Sequence, residues 1–236
     1  MVAVIGDVHG CFYTLKQLVD KVRNKYSSIE IFCVGDLVDR GNHSFEVIEY
    51  IIAENIKFTL GNHDYMFYSN MRDPFSLMAK SWNYNGAETT LTSYKDRLHQ
   101  MDEHLDMIIS TPLFYNLDDC FVSHAGISKS LKNKLPSNFL SKDSELKEIL
   151  NSDLFNQDSI IWTRGDLLNI GKLQVVGHTH RKEVFFDKTS NALYIDTTAF
   201  GNNKLSAAII QQNTLVEIID QKTSADDVNR NWIYQL

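Results

Sequence analysis

One short segment, residues 33–41, constrains the fold more than any other part of the sequence. It begins at the end of a largely apolar run, continues into Gly35 and Asp36, and adds Asp39 and Arg40 directly afterwards. An apolar run rich in β-branched residues is typical of a buried strand, and a Gly-Asp pair is typical of the turn that ends one. We therefore expect Asp36 at the carboxyl end of a central strand, where α/β sheets place ligand sites. Its two carboxylate oxygens could serve two metal ions at once.

The same pattern, an apolar segment followed by side chains that bind metals, recurs along the chain. A single Gly-Asp pair would indicate only a turn, but five of the eight histidines also belong to such clusters. Carboxylate, amide and imidazole donors without thiolates suit Mn²⁺, Fe, Zn²⁺ or Co²⁺ better than Ca²⁺. The sequence therefore predicts a site for divalent metal ions. The clusters are Asp7 with His9, Asp36, Asn62 with His63, His124, and His178 with His180.

The first part of the chain alternates between predicted strands and helices. Apolar segments at 2–5, 29–34 and 57–60 predict strands, and helical periodicity at 12–25 and 45–54 predicts helices between them. This alternation indicates a parallel sheet, whose strands bring their carboxyl ends to one edge. The later segments alternate as antiparallel strands do, and they lie at 184–187, 192–196, 205–211 and 216–220.

Residues 65–111 have a different character, because they lack strand-like alternation and are rich in aromatic residues. We interpret this segment as a helical cap inserted over the sheet edge, within a single domain of residues 1–236. Its aromatic residues, Trp82 among them, are expected to serve packing more than ligand contact. His99 and His104 are expected to face solvent, and the aromatic segment 232–234 to dock onto the body of the domain.

Composition argues against several classes of partner. The net charge of −7 and the pI near 5.6 disfavour broad binding to nucleic acid or to anionic membranes, which needs clustered Lys and Arg. No apolar run approaches the roughly 18 to 20 residues of a membrane helix. The three cysteines are widely spaced, so neither a disulfide framework nor a thiolate zinc site is indicated. We expect a cytoplasmic protein without a nucleic-acid or membrane partner.

Taken together, the motifs resemble the signature of the calcineurin-like metallophosphoesterases. They read Asp-x-His, Gly-Asp-x-Val-Asp-Arg-Gly, Gly-Asn-His-Asp, His-Ala-Gly and Gly-His-Thr, in that order, between Asp7 and His180. The pattern is most similar to the phosphoprotein phosphatase branch, in particular its compact bacterial and bacteriophage members, and diadenosine tetraphosphatases share much of it. The resemblance implies an α/β fold of the α+β type, a two-sheet β-sandwich flanked by helices. It also implies two divalent metal ions, Mn²⁺ first among the candidates, at one sheet edge.

The resemblance also implies a set of metal ligands. His180 stands where the nearest relatives often have proline. In the wider family the corresponding histidine binds the first ion, and we expect the same here. The alternative for His180 is a side chain that only supports a ligand or faces solvent. The implied ligands are Asp7 and His9 for the first ion, Asp36 as the bridge, and Asn62, His124 and His178 for the second ion.

The remaining implied roles concern the substrate. A water activated by the two ions would attack phosphorus in line, and Arg40 and Arg164 would hold the phosphate oxygens, because guanidinium groups match phosphate geometry. His63 would protonate the leaving oxygen, with Asp39 bonded to its other ring nitrogen to keep it protonated and oriented. For Arg164 a surface salt bridge is the competing interpretation, and for His63 it is a buried structural histidine.

Two enzymatic functions fit this set of residues. The first is a serine/threonine phosphoprotein phosphatase that could also act on phosphotyrosine. The alternative is a hydrolase of diadenosine tetraphosphate and related dinucleoside polyphosphates, which would use the same centre. A non-catalytic scaffold is disfavoured, since the ligands, the proposed acid and the arginines are all present. The substrate is thus expected to be a phosphoprotein or another phosphate ester.

Overall fold

The computed structural model describes residues 1–152 and 154–233, which form two mixed β-sheets flanked by helices. The strands are β1 (Val2–Ile5), β2 (Glu30–Cys33), β3 (Lys57–Phe58), β4 (Phe114–Asn116), β5 (Phe121–Ser123), β6 (Gln174–Val176), β7 (Phe185–Asp187), β8 (Ala192–Tyr194), β9 (Lys204–Gln211) and β10 (Thr214–Lys222). The α-helices are α1 (Phe12–Lys25), α2 (Ser44–Ala53), α3 (Asn62–Arg72), α4 (Leu77–Trp82), α5 (Ala87–Tyr94), α6 (Leu98–Ser110) and α7 (Asp143–Asn151).

Each sheet contains three adjacent parallel strands. The first has the strand order β10-β9-β1-β2-β3, in which β1, β2 and β3 are parallel. The second has the order β4-β5-β6-β8-β7, in which β5, β6 and β8 are parallel. Helix α1 joins β1 to β2, and α2 joins β2 to β3, as parallel neighbours require. The carboxyl ends of β1, β2 and β3 therefore meet at one edge, as expected.

Side chains that alternate along β1 and β2 pack into two separate layers of the hydrophobic core. Val4 and Phe32 belong to an apolar cluster that also contains Val122 and Leu193 of the second sheet. Residues of the opposite parity, such as Ala3, pack instead with the apolar faces of the flanking helices. One layer of core thus lies between the sheets and another under the helices, and the expected two-sheet sandwich is confirmed.

Helices α3 to α6 account for the segment between β3 and β4. Trp82 and Tyr94 are fully buried, and Trp82 stacks on Phe67 at a centroid distance of 5.4 Å. His104 is buried as well: the Tyr94 hydroxyl donates to its Nδ1, and its Nε2 donates to Glu49. The expectation that His104 faces solvent was therefore wrong, because aromatic packing of α5 against α6 encloses it, whereas His99 is exposed.

Some predicted elements differ from the structure in length or in strand pairing. Helix α1 spans the predicted residues, but the predicted strands 29–34 and 57–60 are shorter, and Thr59 already lies outside the first sheet. Of the segments expected to be antiparallel, β7 pairs antiparallel with β8 and β9 with β10, and β8 pairs in parallel with β6 on its other side. The interpretation of residues 1–236 as one domain with a cap-like insertion stays a prediction. None of the helices in the described ranges is long and apolar enough to cross a membrane.

The C-terminal segment packs onto the N-terminal half of the chain. Trp232 is buried and donates its indole N–H to Glu88 of α5, while residue 234, the last of the predicted docking segment, lies outside the described residues. Asp227 is fully buried and accepts hydrogen bonds from the N–H groups of Tyr13 and Thr14 and from the Thr14 hydroxyl. It thereby caps the first turn of α1 from 213 positions further along the chain.

We expect Asp227→Ala to lower the free energy of unfolding by about 1–3 kcal/mol, because it leaves buried N–H donors at the start of α1 without an acceptor. Urea denaturation followed by circular dichroism measures this change. Asp226→Ala is the matched control, since Asp226 is exposed and its carboxylate accepts none of these bonds. Equal denaturation midpoints for the two variants would contradict the prediction.

Candidate metal centre

The side chains that follow the strands converge at the edge where β1, β2, β5 and β6 end. All of the predicted ligands lie there, and all are buried except His180, whose side chain is about 32% exposed. Among the described residues, two groups of three side chains could each hold a metal ion, because the donor atoms within each group all lie within 4.8 Å of one another. The first group is His9, Asp36 and His63, and the second is Asp36, His124 and His178. Asp36 belongs to both, as a carboxylate shared by two ions would.

The imidazole rings of the centre are held through one nitrogen each. His9 and His124 both donate from Nδ1 to a backbone carbonyl, that of Val38 and that of Val34, at 2.9 Å. In each ring this leaves Nε2 on the side of Asp36, 3.5 Å from its Oδ2. Metal-binding histidines are oriented in this way, because a hydrogen bond at one nitrogen fixes the ring while the other nitrogen binds the ion.

Asp7 and Asn62 complete the inner set. The backbone N–H of His178 donates to the Asp7 carboxylate at 3.1 Å, and Oδ1 of Asn62 lies 2.9 Å from Nε2 of His124. Gly177 makes this packing possible, since a Cβ on it would stand 1.8 Å from Oδ1 of Asp7. The oxygen donors are thus held in direct contact with the histidine-bearing turns.

His180 is oriented by a carboxylate that sequence reasoning missed. Asp196 is buried and accepts a hydrogen bond from Nδ1 of His180 at 2.5 Å, so Nε2 of His180 faces Arg40. Burial raises the pKa of Asp196, but the hydrogen bond and charge of His180 outweigh this effect and bring the pKa below its usual value. The missed signal was available, because Asp196 follows the apolar segment 192–195 just as Asp36 follows its own strand.

Arg40 lies inside the centre. Its guanidinium donates to Nε2 of His9 at 3.1 Å and to Nε2 of His63 at 3.0 Å, and it is 3.5 Å from Nε2 of His180. The group also stacks over the Phe200 ring, with 4.5 Å between the guanidinium carbon and the ring centroid. A metal ion at His9 would need the lone pair that Arg40 now contacts, so the arginine has to turn away when an ion binds.

Burial shifts the pKa values of the candidate ligands. It raises the pKa of Asp36 to about 7 and that of Asp7 well above its usual value, with neighbouring carboxylates adding to the effect on Asp7. Burial also lowers the pKa of His124 to about 4. Neutral imidazoles are the form that binds metals, and buried carboxylates need cations nearby to ionise. The residues present therefore fit divalent cations.

His63 and Asp39 form the expected pair, with 2.7 Å between Nδ1 and Oδ2. Burial, followed by the positive charge of Arg40, lowers the pKa of His63 well below its usual value. This lowering opposes the expectation that Asp39 keeps His63 protonated. Both causes oppose a protonated His63, and a bound anion would offset the second of them, the charge of Arg40.

Arg164 is exposed, and its Nη1 donates to the backbone carbonyl of His178 at 2.8 Å. No salt bridge of Arg164 occurs within residues 1–152 and 154–233, so the competing interpretation of this arginine finds no support. Several of the residues at the centre also have left-handed backbone conformations, which are uncommon for residues other than glycine and cluster at functional sites. They are His9, Asp36, Asp39, Arg40 and His178, with φ between 45° and 74°.

Comparison with known proteins places residues 1–182 on the family model of the calcineurin-like phosphoesterases. The chain is 30% identical over 130 residues to a symmetrical bis(5'-nucleosyl)-tetraphosphatase of Buchnera aphidicola subsp. Baizongia pistaciae, covering 52% of the chain and 42% of that protein. It is 30% identical over 139 residues to the asymmetrical bis(5'-nucleosyl)-tetraphosphatase PrpE of Halalkalibacterium halodurans, covering 52% of the chain and 56% of that protein. The chain thus aligns with about half the length of these relatives.

Two solved structures share the fold. A putative diadenosine tetraphosphatase superposes with a TM-score of 0.59 at 21% identity, covering 95% of this chain and 94% of the other. The cold-active protein-tyrosine phosphatase of a Shewanella species superposes with a TM-score of 0.64 at 18% identity, covering 94% and 80%.

We predict that Asp36→Asn loses both metal ions, whereas His124→Ala loses one, because only Asp36 belongs to both donor groups. Elemental analysis of the purified, Mn²⁺-loaded variants gives the number of ions bound per chain. His99→Ala serves as the control, since His99 is exposed. Full metal occupancy in Asp36→Asn would refute a shared carboxylate, and unchanged occupancy of both sites in His180→Ala would refute the ligand role of His180.

Proposed function

The chain belongs to the calcineurin-like phosphoesterase family, and we propose that within this family it hydrolyses dinucleoside tetraphosphates with the help of two divalent metal ions. The curated relatives reported above are named for that substrate class. They support the alternative reached from the sequence better than the phosphoprotein phosphatase that we placed first. Phosphoesterase activity follows from the family, and the dinucleotide substrate is the proposal.

A cavity beside His180 is the observation in this structure that favours the dinucleotide. Its volume is about 590 Å³, within the range of small-molecule sites. Arg181 and Lys182 line it, and neither forms an ion pair with a described acidic residue. Glu183 also lines the cavity, but Lys204 pairs with its carboxylate. Positive charge in this cavity would attract the phosphate groups of a tetraphosphate that lie beyond the phosphate being hydrolysed.

The metal ions would be held by Asp7, His9, Asp36, Asn62, His124, His178 and His180, and His63 of the first donor group would be left to face the substrate. When bound, they supply positive charge for the phosphate oxygens and lower the pKa of water toward neutrality. Mn²⁺ remains our first candidate among Mn²⁺, Fe, Zn²⁺ and Co²⁺, because the donors are oxygen and nitrogen atoms without thiolates.

Arg40 and Arg164 would bind the remaining phosphate oxygens. Once the guanidinium of Arg40 leaves the ring nitrogens for an anionic phosphate, its charge no longer disfavours a protonated His63. A hydroxide ion, formed when the attacking water has lost a proton to solvent, would then form a bond to phosphorus while the bond to the leaving oxygen breaks. The proton on Nε2 of His63 passes to that oxygen, and Asp39 holds the ring through Nδ1.

We expect the Mn²⁺-loaded protein to hydrolyse bis(5'-adenosyl) tetraphosphate with a kcat/KM at least about tenfold above that for a phosphoserine peptide. Chromatography of the nucleotide products measures the rate, and also separates symmetrical cleavage, which gives two ADP, from asymmetrical cleavage, which gives ATP and AMP. A phosphopeptide hydrolysed more efficiently than the dinucleotide would reject the proposal in favour of a protein phosphatase.

We further predict that Lys182→Ala raises the KM for bis(5'-adenosyl) tetraphosphate by about five- to tenfold, through loss of a charged contact to phosphate. The kcat/KM for p-nitrophenyl phosphate, which has a single phosphate and therefore none beyond the one that is hydrolysed, should not change. Lys188→Ala is the matched control, because Lys188 is exposed on the turn between β7 and β8 and does not line the cavity. The same KM in Lys182→Ala and Lys188→Ala would show that the cavity does not bind substrate.

A further inference from the structure

The carboxylate of Asp39 is fully buried and held by three side chains. His63 contacts Oδ2 through Nδ1 at 2.7 Å. The indole N–H of Trp82 donates to both carboxylate oxygens, at 2.8 Å to Oδ2 and 3.0 Å to Oδ1. The hydroxyl of Thr90 donates to Oδ1 at 2.7 Å. Both Trp82 and Thr90 belong to the helical segment that sequence patterns identified only as a packing layer.

Thr90 also contacts the backbone of Asp39. Its hydroxyl accepts the Asp39 N–H at 3.0 Å, so one side chain holds both the main chain and the carboxylate of the same residue. The hydroxyl of Ser44 accepts that N–H as well and lies 3.1 Å from Thr90 Oγ1. Asp39 is held in this way although its φ of 74° is unfavourable for a residue with a side chain.

The helices that carry these two donors are pressed closely against the Asp39–Arg40 turn. Gly86 lies between α4 and α5 with a φ of 107°, and a Cβ on it would stand 2.7 Å from the backbone nitrogen of Arg40 and 3.2 Å from Cβ of Asp39. Only glycine combines this backbone conformation with so close an approach. Trp82 is fixed on its other side by stacking on Phe67. The donors therefore have little freedom to move away from the carboxylate.

We propose that Trp82 and Thr90 are positioning residues for the reaction, which fix the Asp39 carboxylate so that His63 presents its proton to the leaving oxygen. This inference rests on the proposed role of His63. A buried carboxylate can accept about four hydrogen bonds, and its orientation is set by the donors that surround it. With Trp82 and Thr90 in place, the lone pair of Oδ2 that remains points at Nδ1 of His63. Without them, the carboxylate can rotate and the ring loses its fixed direction.

The nature of the leaving group separates this role from a structural one. A basic leaving oxygen, as in phenyl phosphate, needs a proton in the transition state, whereas p-nitrophenolate leaves readily without one. Misplacement of His63 should therefore slow phenyl phosphate hydrolysis much more than p-nitrophenyl phosphate hydrolysis. General damage to the fold or to metal binding would slow both reactions alike.

The test uses two substitutions that remove a donor in the full Mn²⁺-loaded chain. Thr90→Val nearly keeps the side-chain volume, and Trp82→Phe keeps an aromatic ring of smaller volume. For each we expect kcat for phenyl phosphate to fall about tenfold and kcat for p-nitrophenyl phosphate to fall by no more than about twofold. Thr90→Ser, which keeps the hydroxyl, should restore the ratio of the two activities. Thr89→Val is the matched control, because the buried hydroxyl of Thr89 donates to the Gly86 carbonyl and does not contact Asp39.

Two results would overturn the inference, and they differ in what they say about the proposed function. Equal losses on both substrates in Thr90→Val and Trp82→Phe, together with a selective loss in His63→Asn, would leave the role of His63 intact and reject the positioning role. Equal losses on both substrates in His63→Asn would reject His63 as the acid, and the positioning role with it. Metal content and urea denaturation midpoints, measured on every variant, identify losses that come from the fold.

Discussion

The burial of several carboxylates at one junction is the constraint on which the rest of this structure depends. Asp7, Asp36, Asp39 and Asp196 are each at most about 2% exposed. Burial raises the pKa of Asp7 and of Asp36, and the charge of Asp196 raises both further. Carboxylates in such a position ionise only when cations and hydrogen-bond donors surround them. Arg40, the Nδ1–H of His180 that Asp196 accepts, and the predicted divalent ions would meet this requirement together. Strands of both sheets end at this junction, so the charged side chains that follow them lie close enough to interact.

Sequence patterns located the part of the site that lies next to strands, because the signal there is local. An apolar run that breaks into Asp36 or His178 is visible without knowledge of the fold. Trp82 and Thr90 carry no such signal, since their contacts with Asp39 join residues 43 and 51 positions apart. The cap on α1 is more distant still, because Asp227 and Thr14 are separated by 213 positions. Asp196 differs from Trp82, Thr90 and Asp227, because it directly follows an apolar segment and therefore carries the local signal.

The preference for a phosphoprotein substrate arose from the same limitation. Solved structures of a putative diadenosine tetraphosphatase and of a protein-tyrosine phosphatase share this fold, and the motifs describe only the metal centre. What distinguishes substrates must lie around it, in features such as the cavity beside His180, which Arg181 and Lys182 line. Neither residue belongs to a recognisable motif, and a pair of exposed cations usually indicates only a solvated surface. Arg181 and Lys182 directly follow His180 in the sequence, but only the folded chain shows that they line a cavity with it.

Arg40 connects these regions physically. Its guanidinium contacts ring nitrogens of both His9 and His63, and its backbone packs against Gly86, which lies between α4 and α5. In the proposed mechanism, a phosphate that drew the guanidinium away would free Nε2 of His9 for a metal ion and remove a positive charge from beside His63. Substrate binding, metal binding and protonation of His63 would then depend on one another, because each changes the same local charge. Asp39 stays fixed during this exchange, since its donors Trp82 and Thr90 belong to helices that the guanidinium does not hold.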